Sequence, residues 1–303
     1  MVGITSNPIV RLEFLRRFRS SGAAWGIPLL TLLPGIAVSV AYTAGTRGAQ
    51  QSEVVPFGPG MAGGDLKDAV PPVTGVTVEQ VSNFGLPMYV ALMAAVLVTL
   101  LVLIPAVVGG SISSERNNNT LQPLQLTALR ALDIVMGKLV ASLAYLLLLL
   151  LCLSPVMVTP FLVGGVRILD VVRGLGLLLL VCVELAAVSI AVSAVLARAV
   201  TSIIASLLIT GALVVGPFIA MWLVYWVQSY NGGAIDELGG YSVLASLSPV
   251  SLFSWSGRIE QFDVGRFAGL SNRVLSLIFW ALVTIGALVV ACRAVRAPVA
   301  KDR

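Results

Sequence analysis

The sequence predicts an all-α polytopic membrane protein with six transmembrane helices, and three observations carry that expectation. The first is composition. The chain of 303 residues is 58% hydrophobic and 11% charged, with a mean hydropathy of +0.99, whereas soluble domains run near 45–50% apolar and about 25% charged. Lipid must be part of the solvent for so many apolar side chains. The second is segment length. A spanning helix needs about 20 mostly apolar residues, and six runs meet that need: 23–44, 86–108, 139–163, 171–197, 202–227 and 274–292. The third is where the basic residues fall. With the N-terminus in the cytoplasm, twelve of the 19 Lys and Arg residues lie on the inner side. Of the acids, only Glu13, Glu115, Asp133 and Asp302 do. The sequence pI of about 9.4 is thus mostly a positive-inside signature, not a sign of a nucleic-acid partner.

The segments follow in order along one domain, 1–303. In segment 7–22, Ile9, Val10, Leu12, Phe14, Leu15 and Phe18 alternate with Arg11, Arg16, Arg17 and Arg19. On a helix this gives an apolar side and a basic side, which suits an interfacial helix on an anionic inner leaflet. The first span is too long for a signal peptide, and no small-x-small cleavage site follows it. Segment 45–85, rich in Gly and Pro, is expected to be an outer loop. The third span carries Pro155 and Pro160, and the fifth carries Gly216-Pro217, where a kink or local widening is expected. Segment 241–256 is short and holds Pro249, so it reads as re-entrant rather than spanning. A seventh span would also place the basic C-terminal tail outside. Trp222, Tyr225, Trp226 and Tyr230 mark the outer interface of the fifth span.

Some chemistries are excluded. There is no histidine, which removes the usual general base and the commonest metal ligand. No metal site is expected. Cys152, Cys182 and Cys292 lie in or at the end of apolar runs, where they act as filler rather than as a disulfide framework. No Gly-x-x-x-x-Gly-Lys-Ser/Thr phosphate loop occurs, so the chain has no such cradle for ATP.

The informative stretch is the cytoplasmic segment 111–138. Ser113-Ser114-Glu115-Arg116 and Asn117-Asn118-Asn119 open it. Leu121, Leu124 and Leu129 then give a partly amphipathic pattern before Gly137-Lys138. This suits a short helix lying across the membrane face and offering side chains to a partner.

Those residues carry a resemblance. Glu115-Arg116, Thr120-Leu121, Leu124, Thr127, Leu129 and Gly137-Lys138 resemble the segment between the second and third helices of type-2 ABC transporter permeases. The chain departs from the family pattern at Asn119 (usually Gly), Gln122 (usually Glu) and Ala128 (usually Pro). The six-helix plan, the N-terminal interfacial helix and the re-entrant segment with Ser248-Pro249 are similar to that family throughout. The resemblance implies that this loop is a coupling helix, with Glu115, Arg116, Thr120, Leu121, Leu124, Thr127 and Arg130 contacting a separate ABC ATPase subunit. It implies two ATPase copies and a second permease, identical or paralogous, in the bacterial cytoplasmic membrane, with both termini cytoplasmic. It further implies export of an amphipathic drug, peptide or lipid. The chain itself is then no enzyme and holds no cofactor; ATP and Mg belong to the partner.

Inside the spans, Glu184 stands near the middle of the fourth, where a carboxylate is costly and is expected to face the bundle. It reads either as a contact for a polar or cationic substrate group or as a clamp between helices. Ser202, Ser206 and Thr210 form a hydroxyl stripe at i, i+4, i+8 on the fifth span. They line a substrate pathway or, as such residues more often do, satisfy helix contacts. Ala186, Ser189, Ser193 and Ala197 give the fourth span a small-residue face for close packing. The alternative to the permease is a secondary transporter driven by an ion gradient, with Glu184 in its pathway.

The topology has a direct test. In a background without native cysteines, single cysteines at Ser52 and Gly232 should react with an impermeant thiol reagent from outside. One at Arg303 should not. Outside labelling at Arg303 would mean that 241–256 spans the bilayer or that the span count is wrong elsewhere.

Overall fold

The computed structural model describes residues 28, 31–44, 78–118, 131–164, 166–231, 247, 266–267 and 270–295. The helices among them are α1 (Thr31–Ala44), α2 (Val78–Val108), α3 (Ser113–Asn117), α4 (Ala131–Val163), α5 (Ile168–Val195), α6 (Ala199–Asn231) and α7 (Asn272–Val295). A two-residue antiparallel ladder precedes α7, pairing Arg266 with Ser271 and Phe267 with Leu270. Apart from that ladder, the described elements are all helical.

Among the described residues, five helices are long and apolar enough to cross a membrane, which makes this a multi-pass membrane architecture. At about 1.5 Å per residue, α2, α4 and α6, of 31, 33 and 33 residues, reach well beyond a hydrocarbon core about 30 Å thick. That excess explains where helix and expected span part company. The outer loop expected through residue 85 gives way to helix from Val78, and the segment expected through Lys138 gives way to helix from Ala131. Lipid thickness bounds the apolar run but does not stop a helix whose flanking residues tolerate it. The first expected span is described only as α1, 14 residues at its C-terminal end, plus Pro28. The interfacial segment 7–22 lies outside the described residues, as does the re-entrant segment 241–256 apart from Leu247.

Helix α5 is the hub and packs against α2, α4, α6 and α7. Two-thirds (67%) of its most apolar window is buried, against 17% for α6 and for α7. Its sequence explains this. Ala186, Ala187, Ser189, Ser193 and Ala194 are all buried, and small residues let neighbouring backbones approach. The small-residue face stops there: Ala197, expected to continue it, is exposed and lies past the helix end at Val195. By contrast, α6 turns Ile204, Leu208, Phe218, Trp222 and Trp226 outward, as a helix facing lipid does. It continues as helix through Gly216-Pro217. Trp226 and Tyr230 stack on its exposed side with ring centroids 6.1 Å apart.

The helices are joined tightly. Gly164 ends α4 at φ 105°, the left-handed region that favours glycine at this position. Its N–H donates to the Pro160 and Phe161 carbonyls at 3.2 Å. On the other side of the turn, the Arg167 N–H donates to Asp170 Oδ2 at 3.2 Å, satisfying one free donor at the start of α5. The same corner receives α2. The Tyr89 hydroxyl donates to the Asp170 carbonyl at 2.9 Å, and a side chain on Gly85 would overlap the Gly164 carbonyl oxygen.

Gly85→Ala should therefore lower thermal stability in detergent. Its methyl group meets backbone rather than a flexible side chain, and overpacking of this kind costs about 1–3 kcal/mol. Gly176→Ala is the control, since nothing lies within 4 Å of a Cβ there. Equal melting temperatures for the two variants would contradict the close approach.

Candidate functional site

After α2 the chain turns over residues 109–112 into α3 without losing its hydrogen bonds. Gly109 N–H donates to Pro105 O at 2.8 Å, Ser114 N–H to Gly110 O at 2.9 Å, and Arg116 N–H to Ile112 O at 3.0 Å. The turn is buried: Ile112 and Ser113 are fully covered and Ser111 nearly so. A buried turn needs partners for its backbone polar groups, and three different helices supply them, while the Ser111 hydroxyl finds none among the described residues.

From the last turn of α5, Ser193 Oγ accepts the N–H groups of Ile112 at 3.0 Å and Ser113 at 3.1 Å. Its hydroxyl also lies 3.3 Å from Ser113 Oγ. From the first turn of α6, Ser202 Oγ donates to the Gly109 carbonyl. From α4, Lys138 Nζ donates to the Ser111 carbonyl at 3.0 Å and to Glu115 Oε1 at 2.7 Å. Lys138 is 1% exposed and Glu115 16%. The two glycines make room for this convergence. A side chain on Gly109 would overlap Ser206 Oγ and the Pro105 carbonyl, and one on Gly110 would press on Ile203. The result is a polar knot that fastens the start of the α2–α4 connection to α4, α5 and α6.

The sequence-predicted residues divide around this knot. Glu115 is inside it, directed at Lys138 rather than outward. Arg116, the next residue, is partly exposed. Thr120, Leu121, Leu124, Thr127 and Arg130 lie outside the described residues. Ser202, Ser206 and Thr210 are fully buried and come together along one side of α6. Beyond the bond from Ser202 to Gly109, Ser206 donates to the Ile203 carbonyl at 2.9 Å and Thr210 to the Ser206 carbonyl at 2.6 Å. All three are thus bonded to backbone. Glu184 is separate, 4% exposed on α5, and its Oε2 finds no hydrogen-bond partner among the described residues.

Two members of the knot were missed as site residues. Lys138 had a signal, a lysine embedded between Gly137 and Leu139 at the head of an apolar run. Ser193 had none beyond its small size, because its role depends on a turn 80 residues away.

The fold defines the class as a helical multi-pass membrane protein. Neither the models of known protein families nor the curated proteins give a match to the chain.

Ser193→Ala should lower the melting temperature clearly, since it strips the shared acceptor from two buried N–H groups, at about 1–3 kcal/mol for each one left unsatisfied. Ser189→Ala on the same helix should change little, because that hydroxyl donates only to the Leu185 carbonyl of its own helix, at 2.8 Å. Matching thermal shifts in the two variants would remove Ser193 from the knot.

Proposed function

We propose that this chain is the permease subunit of an ATP-driven ABC exporter, and that the connection after α2 is its coupling segment. The observation that supports this reading is the knot. A loop that receives force from a partner must be fastened to the helices it is to move. Here the start of the segment resembling a coupling helix is tied to α4, α5 and α6 through Lys138, Ser193 and Ser202. In this reading six helices span a bacterial cytoplasmic membrane with both termini inside. Two ATPase subunits holding ATP and Mg dock on Arg116 and the residues that follow, and a second permease, identical or paralogous, completes the path for an amphipathic substrate. Binding and release of ATP rock the two permeases against each other. One observation favours a second reading, an ion-gradient transporter. Glu184 is a buried carboxyl group with an unpartnered oxygen in mid-span, the kind of group on which such transporters rely.

Arg116→Glu and Leu124→Ala separate the readings. Both residues lie beyond the apolar run 86–108, so membrane insertion should stay normal. Docking sites concentrate their energy in few residues, so each variant should lose co-purifying ATPase about tenfold, the effect of about 1.4 kcal/mol, or keep it and lose substrate-stimulated turnover. Gln50→Ala, in the outer loop, should do neither. Wild-type transport with an intact complex in both loop variants would favour the gradient-driven reading.

A further inference from the structure

We propose that Lys138 is a positioning residue, one half of a clasp that closes the base of the coupling segment and makes it move with α4. The proposal rests on the permease reading for what the segment does, but not for how it is held.

The chemistry of Lys138 is unusual for its surroundings. It sits between buried Gly137 and buried Leu139 in an apolar helix, itself almost wholly covered. A lysine near a helix end ordinarily snorkels its ammonium toward the headgroups and water. This one instead reaches sideways to two groups of the preceding segment, the Ser111 carbonyl and the Glu115 carboxylate. Those acceptors are four residues apart, one helical turn, so a single ammonium ties two successive levels of the segment.

Sequence separation gives the pair its meaning. Glu115 stands before residues 119–130 and Lys138 after them, 23 residues further along the chain. The ion pair therefore ties the two sides of the connection to each other. The serines act further back: Ser202 holds Gly109, and Ser193 holds Ile112 and Ser113. Of these contacts, the one to Glu115 reaches furthest along the segment, so it fixes the orientation of α3.

Stability alone does not account for such a pair. Replacing a buried ion pair with apolar residues of similar volume is often neutral or stabilising. What the apolar replacement loses is the requirement for one geometry. Removing both charges should thus cost the fold little beyond the bond to the Ser111 carbonyl, and release the segment.

The test uses the full chain. Lys138→Met and the double variant Lys138→Met/Glu115→Leu are compared with wild type for thermal unfolding, and for trypsin cleavage after Arg116 in detergent, followed by mass spectrometry. The double variant guards against the single one failing to fold through a Glu115 that has lost its lysine. The double variant, which gives up only the bond to the Ser111 carbonyl, should melt closer to wild type than Lys138→Met does, yet be cut after Arg116 about ten times faster than wild type, since proteolysis tracks the population of the opened segment. In vesicles holding the variant chain with its co-purified ATPase, ATP hydrolysis should persist while transport per ATP falls about fivefold or more. Such a split is not expected of a residue that only stabilises the fold. Unchanged cleavage after Arg116 in the double variant overturns the clasp. Faster cleavage with unchanged transport per ATP overturns its role in coupling. If the wild-type vesicles show no ATP-driven transport, the permease reading fails, and the cleavage rates alone decide whether Lys138 holds the segment.

Discussion

A bilayer offers no water to a stranded donor or acceptor, and this constraint organises the described structure. Long helices satisfy nearly all backbone groups internally, and the difficulty is displaced to the places where helices end. At the Gly164 corner the solution is local, with a left-handed glycine and the Asp170 carboxylate taking up the free groups of two helix ends. At the turn after α2 no local solution suffices, because the turn is covered by the bundle. Its groups are instead met by side chains from α4, α5 and α6. Without Ser193, Ser202 and Lys138, a buried turn at that position would carry several unsatisfied groups, and the α2–α4 connection would have to move outward.

The same requirement explains why α5 occupies the centre. To deliver Ser193 to the Ile112 and Ser113 amides, its last turn must approach the backbone of the turn within hydrogen-bond distance. Only a helix with small residues on its packing faces achieves that while also contacting α2, α6 and α7. Ala186, Ala187, Ser189 and Ala194 provide this, and the glycines at 109 and 110 provide the complementary clearance toward α6. Helix α6, with Ile204, Leu208 and Phe218 outward, has surface to spare for lipid. Central and peripheral helices are thus told apart by side-chain size and not by hydropathy, which is similar for the two.

That distinction marks how far the sequence was legible. The helical class and five of the spans follow from apolar run length alone. Helix bounds do not, because α2 and α4 run on past the lipid-compatible stretch into residues that tolerate either environment. Glu115 was legible as important through its motif, but its partner was not. The ion pair bridges 23 residues, and nothing local in Gly137-Lys138-Leu139 tells a lysine turned toward water from one turned inward. The stripe of Ser202, Ser206 and Thr210 shows the converse. Its period placed all three on one face correctly, yet the period says nothing about what a hydroxyl bonds. Backbone carbonyls at Gly109, Ile203 and Ser206 turn out to be the acceptors.

Three charge-bearing side chains, Lys138, Asp170 and Glu184, are buried in the described bundle, and the contrast between Lys138 and Glu184 bears on the choice of reading. Lys138 spends its charge on Glu115 and on the Ser111 carbonyl. A cation engaged in this way has traded mobility for position, since releasing it would strand a carboxylate and a carbonyl together. It is therefore a poor relay for a transported ion and a good anchor for a loop. Glu184 has the opposite character, with one carboxyl oxygen left unpartnered among the described residues. Among the described residues a gradient-driven mechanism would have Glu184 and, at the start of the same helix, Asp170, whose carboxylate accepts from the Arg167 N–H, whereas ion pathways are ordinarily built from several ionisable residues in succession. No further ionisable side chain is buried in the described part of α6 or α7 to continue such a path. The buried charges of the described residues thus support the proposed permease reading over the gradient-driven one.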